Sequence, residues 1–221
     1  MTVGISLGEC ENALGRPRRT IAPNSPVSRC FQSDPRMVVW PMPEPVSLNA
    51  RQLSDTEIAI VDAFRTLAIE RRYGAIRVTD IIGRAGVGKS TFYEHFHGKD
   101  DVLLTAMRPV LLVLATAASG RAARSYVRPV IEHLWERRSV ARPILESTAA
   151  SILQRRLADA IATHGGRQLD AEGVPLFAIG IAASQLAMLR CWLAGHVAAT
   201  FDAMTDQLIA CSRLHDGDWP P

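Results

Sequence analysis

The residues best suited to chemistry lie in one short stretch. Gly83, Gly88, Lys89 and Ser90 complete the pattern G-x-x-x-x-G-K-S. In a nucleotide-binding loop this pattern lets backbone amides and a lysine surround phosphates at the start of a helix. Such a loop must be fed by a buried strand, and residues 76–82 could pass for one. It also needs further parallel strands and a carboxylate at a strand end to hold magnesium, and the downstream chain reads as helix throughout. A P-loop nucleotide-binding enzyme using residues 83–90 is therefore the lesser of two readings.

The second reading uses the same residues over a longer span. In a helix-turn-helix, one helix braces, a small residue makes the turn, and a second helix enters the major groove. Gly86 suits the turn, and Ile81 with Val87 would wedge the two helices together. Phe92 and Phe96 lie four apart and point to one face, which leaves Lys89, Ser90, Thr91 and Tyr93 for DNA. The Thr91 and Tyr93 hydroxyls fit phosphate oxygens, which set register without reading sequence. Lys89, at the helix start, can reach a guanine edge. His95 reads first as a packing residue, one that adds charge at lower pH.

These residues, Ile81, Ala85-Gly86-Val87, Thr91-Phe92-Tyr93, His95-Phe96, Lys99 and Leu103, closely resemble the DNA-binding signature of the TetR family of bacterial regulators. The resemblance spans about residues 57–104. It implies a phosphate contact for Lys99 and a base contact for Thr79, so the DNA-binding candidates are Thr79, Lys89, Ser90, Thr91, Tyr93, His95 and Lys99. Three positions depart from the pattern: Gly88 stands for a serine cap, Arg77 for a capping threonine, and Ser90 for a common glycine. Bulk charge adds nothing, because residues 51–101 hold eight basic and eight acidic side chains. What counts is placement: Arg77, Arg84, Lys89 and Lys99 surround the turn, while Asp55, Glu57 and Asp62 belong to the bracing helix. Lys89 and Lys99 are also the only lysines of the chain.

The elements that must hold these residues are helical. Ser54 and Glu57 form an S-x-x-E capping pattern ahead of the stripe Ile60, Val61, Phe64 and Leu67, so a helix should start there and stop near Gly74. Short helices fit residues 78–84 and 89–96. Beyond them, helices are expected at 101–118, 121–138, 141–164, 172–195 and 199–214. Residues 1–50, with seven prolines and no apolar periodicity, read as a disordered tail. The expected architecture is all-α: the tail, a three-helix helix-turn-helix domain over 51–100, and a helical ligand-binding and dimerisation domain over 101–215. Residues 174–201 carry a single charge, Arg190, and read as a helix covered by its own domain on one side and a partner on the other. Pro175, Gly180, Ser184, Gln185 and Arg190 argue against a membrane span.

Composition sets the remaining bounds. The net charge is +3 and 48% of residues are apolar, enough for a sizeable core. Cys10, Cys30, Cys191 and Cys211 are widely spaced and lack histidine partners, as expected of free thiols in a reducing cytoplasm. No metal, cofactor or nucleophile–base arrangement is implied, so no enzymatic activity is expected. The family resemblance implies a homodimer, a double-stranded DNA operator and a small-molecule effector, with repression as the most direct mode. Met107, Leu111, Tyr126, His133 and Trp135 are weaker candidates for the effector pocket.

Overall fold

Ser54 opens the first helix as its sequence requires. Its Oγ accepts from the Glu57 amide at 3.2 Å, and the Glu57 carboxylate accepts from the Ser54 amide at 2.8 Å, so two otherwise orphaned donors are satisfied. The computed structural model describes residues 53–164 and 174–211, all within one compact unit spanning 46–221. The expected tail and the end of the last expected helix lie outside the described residues.

Among the described residues every regular element is helical. The head comprises α1 (Asp55–Glu70), α2 (Val78–Ala85) and α3 (Lys89–His95), with a 3-10 turn at Tyr73–Ala75. The body comprises α4 (Lys99–Ala117), α5 (Arg124–Glu136), α6 (Arg138–Leu145), α7 (Ala149–His164), α8 (Leu176–Leu193) and α9 (Phe201–Ala210). Ile60, Val61, Phe64 and Leu67 of α1 are buried against α2 and α4, which joins head to body. In the body α4 packs on α7, α7 on α8, and α5 on α9.

Two expected helix boundaries need correction, and the strand of the lesser reading is absent. The run at 141–164 is two helices, α6 and α7, with α6 beginning at Arg138 so that Ser139 lies inside it. The break falls at Ser147, whose Oγ donates to the Ile144 carbonyl at 2.7 Å and accepts from the Ala149 amide at 3.1 Å. A serine satisfying backbone on both sides can end one helix and start the next. Helix α1 stops at Glu70, and Gly74 lies within the 3-10 turn that follows. Residues 78–82 form part of α2, so no strand precedes the glycine-rich string.

Candidate nucleic-acid interface

Helix α2 ends because Gly86 takes a left-handed conformation, φ +69°, and returns its amide to the Ile82 carbonyl at 3.0 Å. Glycine does this without the Cβ penalty that other residues meet. The start of α2 is only half capped. The Arg77 side chain has no acceptor to offer, but the Asp80 carboxylate accepts from the Arg77 amide at 3.0 Å. Gly83 therefore sits inside a helix, and residues 83–90 run from the end of α2 through a turn to the start of α3. This geometry contradicts the nucleotide-loop reading, which needs a strand where α2 lies.

At about 100° per residue, α3 divides cleanly. Phe92 and Phe96 are buried and close on each other, with ring centroids 6.0 Å apart. Ser90 and Glu94 occupy the opposite arc and are exposed, with half-buried Thr91 beside them, while Lys89 and Tyr93 flank the phenylalanines and are exposed as well. Tyr93 is 50% exposed, its ring held edge-on to Phe92 at 5.3 Å, so the hydroxyl projects outward from a fixed base. Thr79, in the first turn of α2, is exposed as well. Gly88 is the N-cap of α3 in an extended conformation and provides no side-chain acceptor. A Cβ there would meet the Thr91 hydroxyl at an ordinary 3.5 Å, so the serine of the family pattern would also fit.

Two of the expected contacts are engaged inside the head. His95 lies on the inner side of α3, its Nδ1 3.8 Å from the Glu57 carboxylate at the start of α1. This is the packing position expected of it, away from the exposed arc. The Lys99 ammonium donates to the carbonyls of Tyr73 and Ile76, both at 3.2 Å, and lies 4.5 Å above the Tyr73 ring. The Tyr73 hydroxyl donates to the Asp100 carboxylate. Burial, reinforced by that carboxylate, pushes the Tyr73 hydroxyl well above its ordinary pKa. Lys99, Tyr73 and Asp100 together tie the loop after α1 to the start of α4. An ammonium has three donors, and two carbonyls leave one for a phosphate.

The basic cluster around the turn is smaller than the sequence suggests. Arg84 pairs with Glu70 at 2.8 Å, and Asp80 lies 3.5 Å from Arg71. Among the described residues Arg77 and Lys89 form no ion pair. Glu94, no candidate by residue type, is exposed on α3 beside them. Its place four residues after Ser90 was the available signal.

The body holds a small cavity of about 20 Å³, enclosed by α4 through α8 and lined only by apolar side chains. Met107 and Leu111, two of the sequence candidates, lie on its wall. The other three do not. Trp135 packs at a tilt on Trp192 (4.7 Å between centroids) and edge-on to Phe201, and the Arg138 guanidinium lies 4.9 Å from its ring centroid. His133 lies by Arg137 and Arg65. One helix serves two spaces: Ala141, Ile144 and Leu145 of α6 line the cavity, while Ser139, Val140, Pro143 and Ile144 line a groove of about 290 Å³ against the end of α1. Among the described residues no group of acidic, histidine or cysteine side chains could hold a metal. Helix α8 is long and apolar enough to cross a membrane by composition alone. It packs on α6 and α7 and carries a buried Gln185 whose amide donates to the Leu114 and Leu208 carbonyls, as a core helix does.

Comparison with known proteins agrees with the head. Residues 60–106 match the family of bacterial regulatory proteins, tetR family. Solved structures with a similar arrangement include a TetR transcriptional regulator from Streptococcus agalactiae 2603V (21% identical, covering 71% of this chain and 93% of that one, TM-score 0.46). A putative TetR-family transcriptional regulator from Syntrophomonas wolfei is 18% identical over 73% of this chain and 95% of its own, with a TM-score of 0.47. The fatty acid degradation regulator FadR from Bacillus halodurans is 13% identical over 72% and 95%, with a TM-score of 0.42. No curated protein matches the chain. The resemblance rests on the matched residues and the turn they build: residues 60–106 of this chain are similar to the bacterial regulatory proteins of the tetR family.

Proposed function

We propose that the chain is a homodimeric repressor that binds a roughly palindromic operator and leaves it when a small molecule enters the body. The observation that carries the DNA-binding part is the division of α3, with Lys89, Ser90, Tyr93 and Glu94 exposed while Phe92 and Phe96 are buried. In this reading Lys89 and Ser90 reach base edges, Tyr93 and Thr91 hold phosphates, Thr79 approaches from α2, and Lys99 uses its remaining donor on the backbone. His95 contributes by holding α3 to α1 rather than by touching DNA. The head occupies 51–100, the ligand-binding and dimerisation body 101–215, and the protein works in the cytoplasm without a cofactor or enzymatic activity.

Dimerisation is supported by α8. Ala178, Ile181, Gln185, Leu189 and Trp192 bury one side, while Leu176 (83% exposed), Ile179 (40% exposed) and Gly180 face outward on the other. Release by a ligand is supported by α6, which touches both the cavity and the groove at the head. A displacement of this short helix alters the seat of α1, and with it the spacing of two heads.

The test is an unbiased selection of bound DNA fragments. The expected product is a two-fold site whose half-sites face one side of the duplex, about 34–36 Å apart or a multiple of that. A selection that enriches no sequence rules out the operator. Magnesium-dependent binding of ATP or GTP at micromolar strength would restore the nucleotide reading.

A further inference from the structure

We infer from the cavity lining that the effector is an uncharged molecule with a hydrocarbon body, taken into the space between α4 and α8 by its apolar surface alone. This inference rests on the ligand-released regulator proposed above and specifies the chemistry of that site. The wall contains no polar atom: Met107 and Leu111 of α4, Leu134 of α5, Leu153 of α7 and Leu189 of α8 are representative. A charged group placed there would lose its hydration and find no partner, a cost far above what apolar contact returns. A hydroxyl or amide lacks a partner too, but stripping it of water costs far less than stripping an ion.

The volume, about 20 Å³, is near that of a single water probe, so the effector enlarges the space on entry. Met107 is half-exposed at the wall, and its unbranched thioether chain repacks readily. Leu145 and Ala141 come from α6, the eight-residue helix whose other side faces α1. Apolar filling therefore pushes on α4 and α6, the two walls that also pack on α1. The polar hollow beside it, about 390 Å³ and lined by Glu136, Arg138, Ser139, Arg142 and Leu193, is not the site. Arg142 is already paired with Glu146 at 2.8 Å, and Arg138 lies on Trp135.

The probes are 1-octanol, octanoate and octylammonium, which share one chain and differ in the charge of the head. Calorimetry on the full chain is expected to show saturable octanol binding, with both ions weaker by about tenfold or more. Leu111→Ala widens the cavity and should tighten octanol, while Ala141→Leu fills the cavity and should weaken it by about tenfold. Thermal unfolding of both variants checks that they fold, and Ala141→Leu, at a half-exposed position, keeps the test open if Leu111→Ala does not. Equal affinity for all three probes, octanol binding unchanged by Ala141→Leu, or no saturable binding to the parent overturns the inference. Operator binding is measured on the same samples. DNA bound without octanol uptake removes the effector class and leaves the regulator, while octanol uptake without any selected DNA keeps the site and removes the regulator.

Discussion

Lys89 and Tyr93 stand one turn apart on α3, yet their replacement should have different signatures. Lys89→Ala removes a base contact and should cost about 1–3 kcal/mol at the selected operator, with relaxed preference at one position per half-site. Tyr93→Phe keeps the ring on Phe92 and deletes only the hydroxyl, so it should weaken every DNA sequence by a similar, smaller amount. Lys99→Ala removes two charge-assisted hydrogen bonds within the head. It should therefore lower stability by about 1.5–3 kcal/mol and also reduce the salt slope of DNA binding, because one fewer counterion is released per head. Denaturant unfolding beside a salt titration separates the two roles. Unchanged stability would remove the structural role, and an unchanged salt slope the phosphate contact. Glu94 belongs to the same scale. It repels phosphates but can accept from a cytosine amino group, so Glu94→Gln should raise affinity for unrelated DNA and narrow the margin for the operator.

At the scale of elements, the turn between α2 and α3 depends on one backbone conformation. A Cβ on Gly86 would meet nothing within 4 Å, so Gly86→Ala isolates the cost of a left-handed residue. That cost should be about 1–2 kcal/mol in denaturant unfolding, with DNA affinity falling if α3 tilts. Helix α5 carries a pH-dependent element at His133. Burial, then the charge of Arg137, holds its pKa below the ordinary 6.5, against an upward pull from Glu136 and with a lesser downward one from Arg65. A histidine so depressed is neutral in both states above 6.5 and costs nothing there. As pH falls below 6.5, the unfolded chain takes the proton first and stability is lost until the folded pKa is passed. The thermal midpoint of His133→Gln should accordingly fall less between pH 7 and pH 5 than that of the parent. An identical fall would remove His133 from the acid response.

For the whole molecule, the outward side of α8 is the feature that asks for a second chain. Gly180 is exposed, lies opposite the buried arc, and has open space where a Cβ would go. Gly180→Asp should therefore leave the protomer folded, and even favour its helix, while placing a carboxylate in an apolar seam. Light scattering should return twice 24.1 kDa for the parent and the single-chain mass for the variant. Operator affinity should drop with it, because two linked heads bind far better than two separate ones. A variant that remains dimeric would move the interface elsewhere.

The chemistry of the head was legible along the chain because it is local. The Ser54–Glu57 cap, the Gly86 turn and the Phe92–Phe96 spacing each involve residues within four positions of one another, where backbone geometry leaves few alternatives. The same holds for the all-helical fold and for the two-sided apolar character of α8. The break at Ser147 was missed because a serine ends a helix only if its hydroxyl turns back to the backbone, and composition does not say whether it does. Lys99 and Arg84 were read as DNA-facing cations. Their partners, Tyr73, Ile76 and Glu70, stand 14 to 26 residues away in sequence and meet them only when α1, α2 and α4 close together. The cavity is the clearest case. Leucines at 111, 134, 153 and 189 look alike in sequence, and tertiary packing alone decides that they face one another around a space.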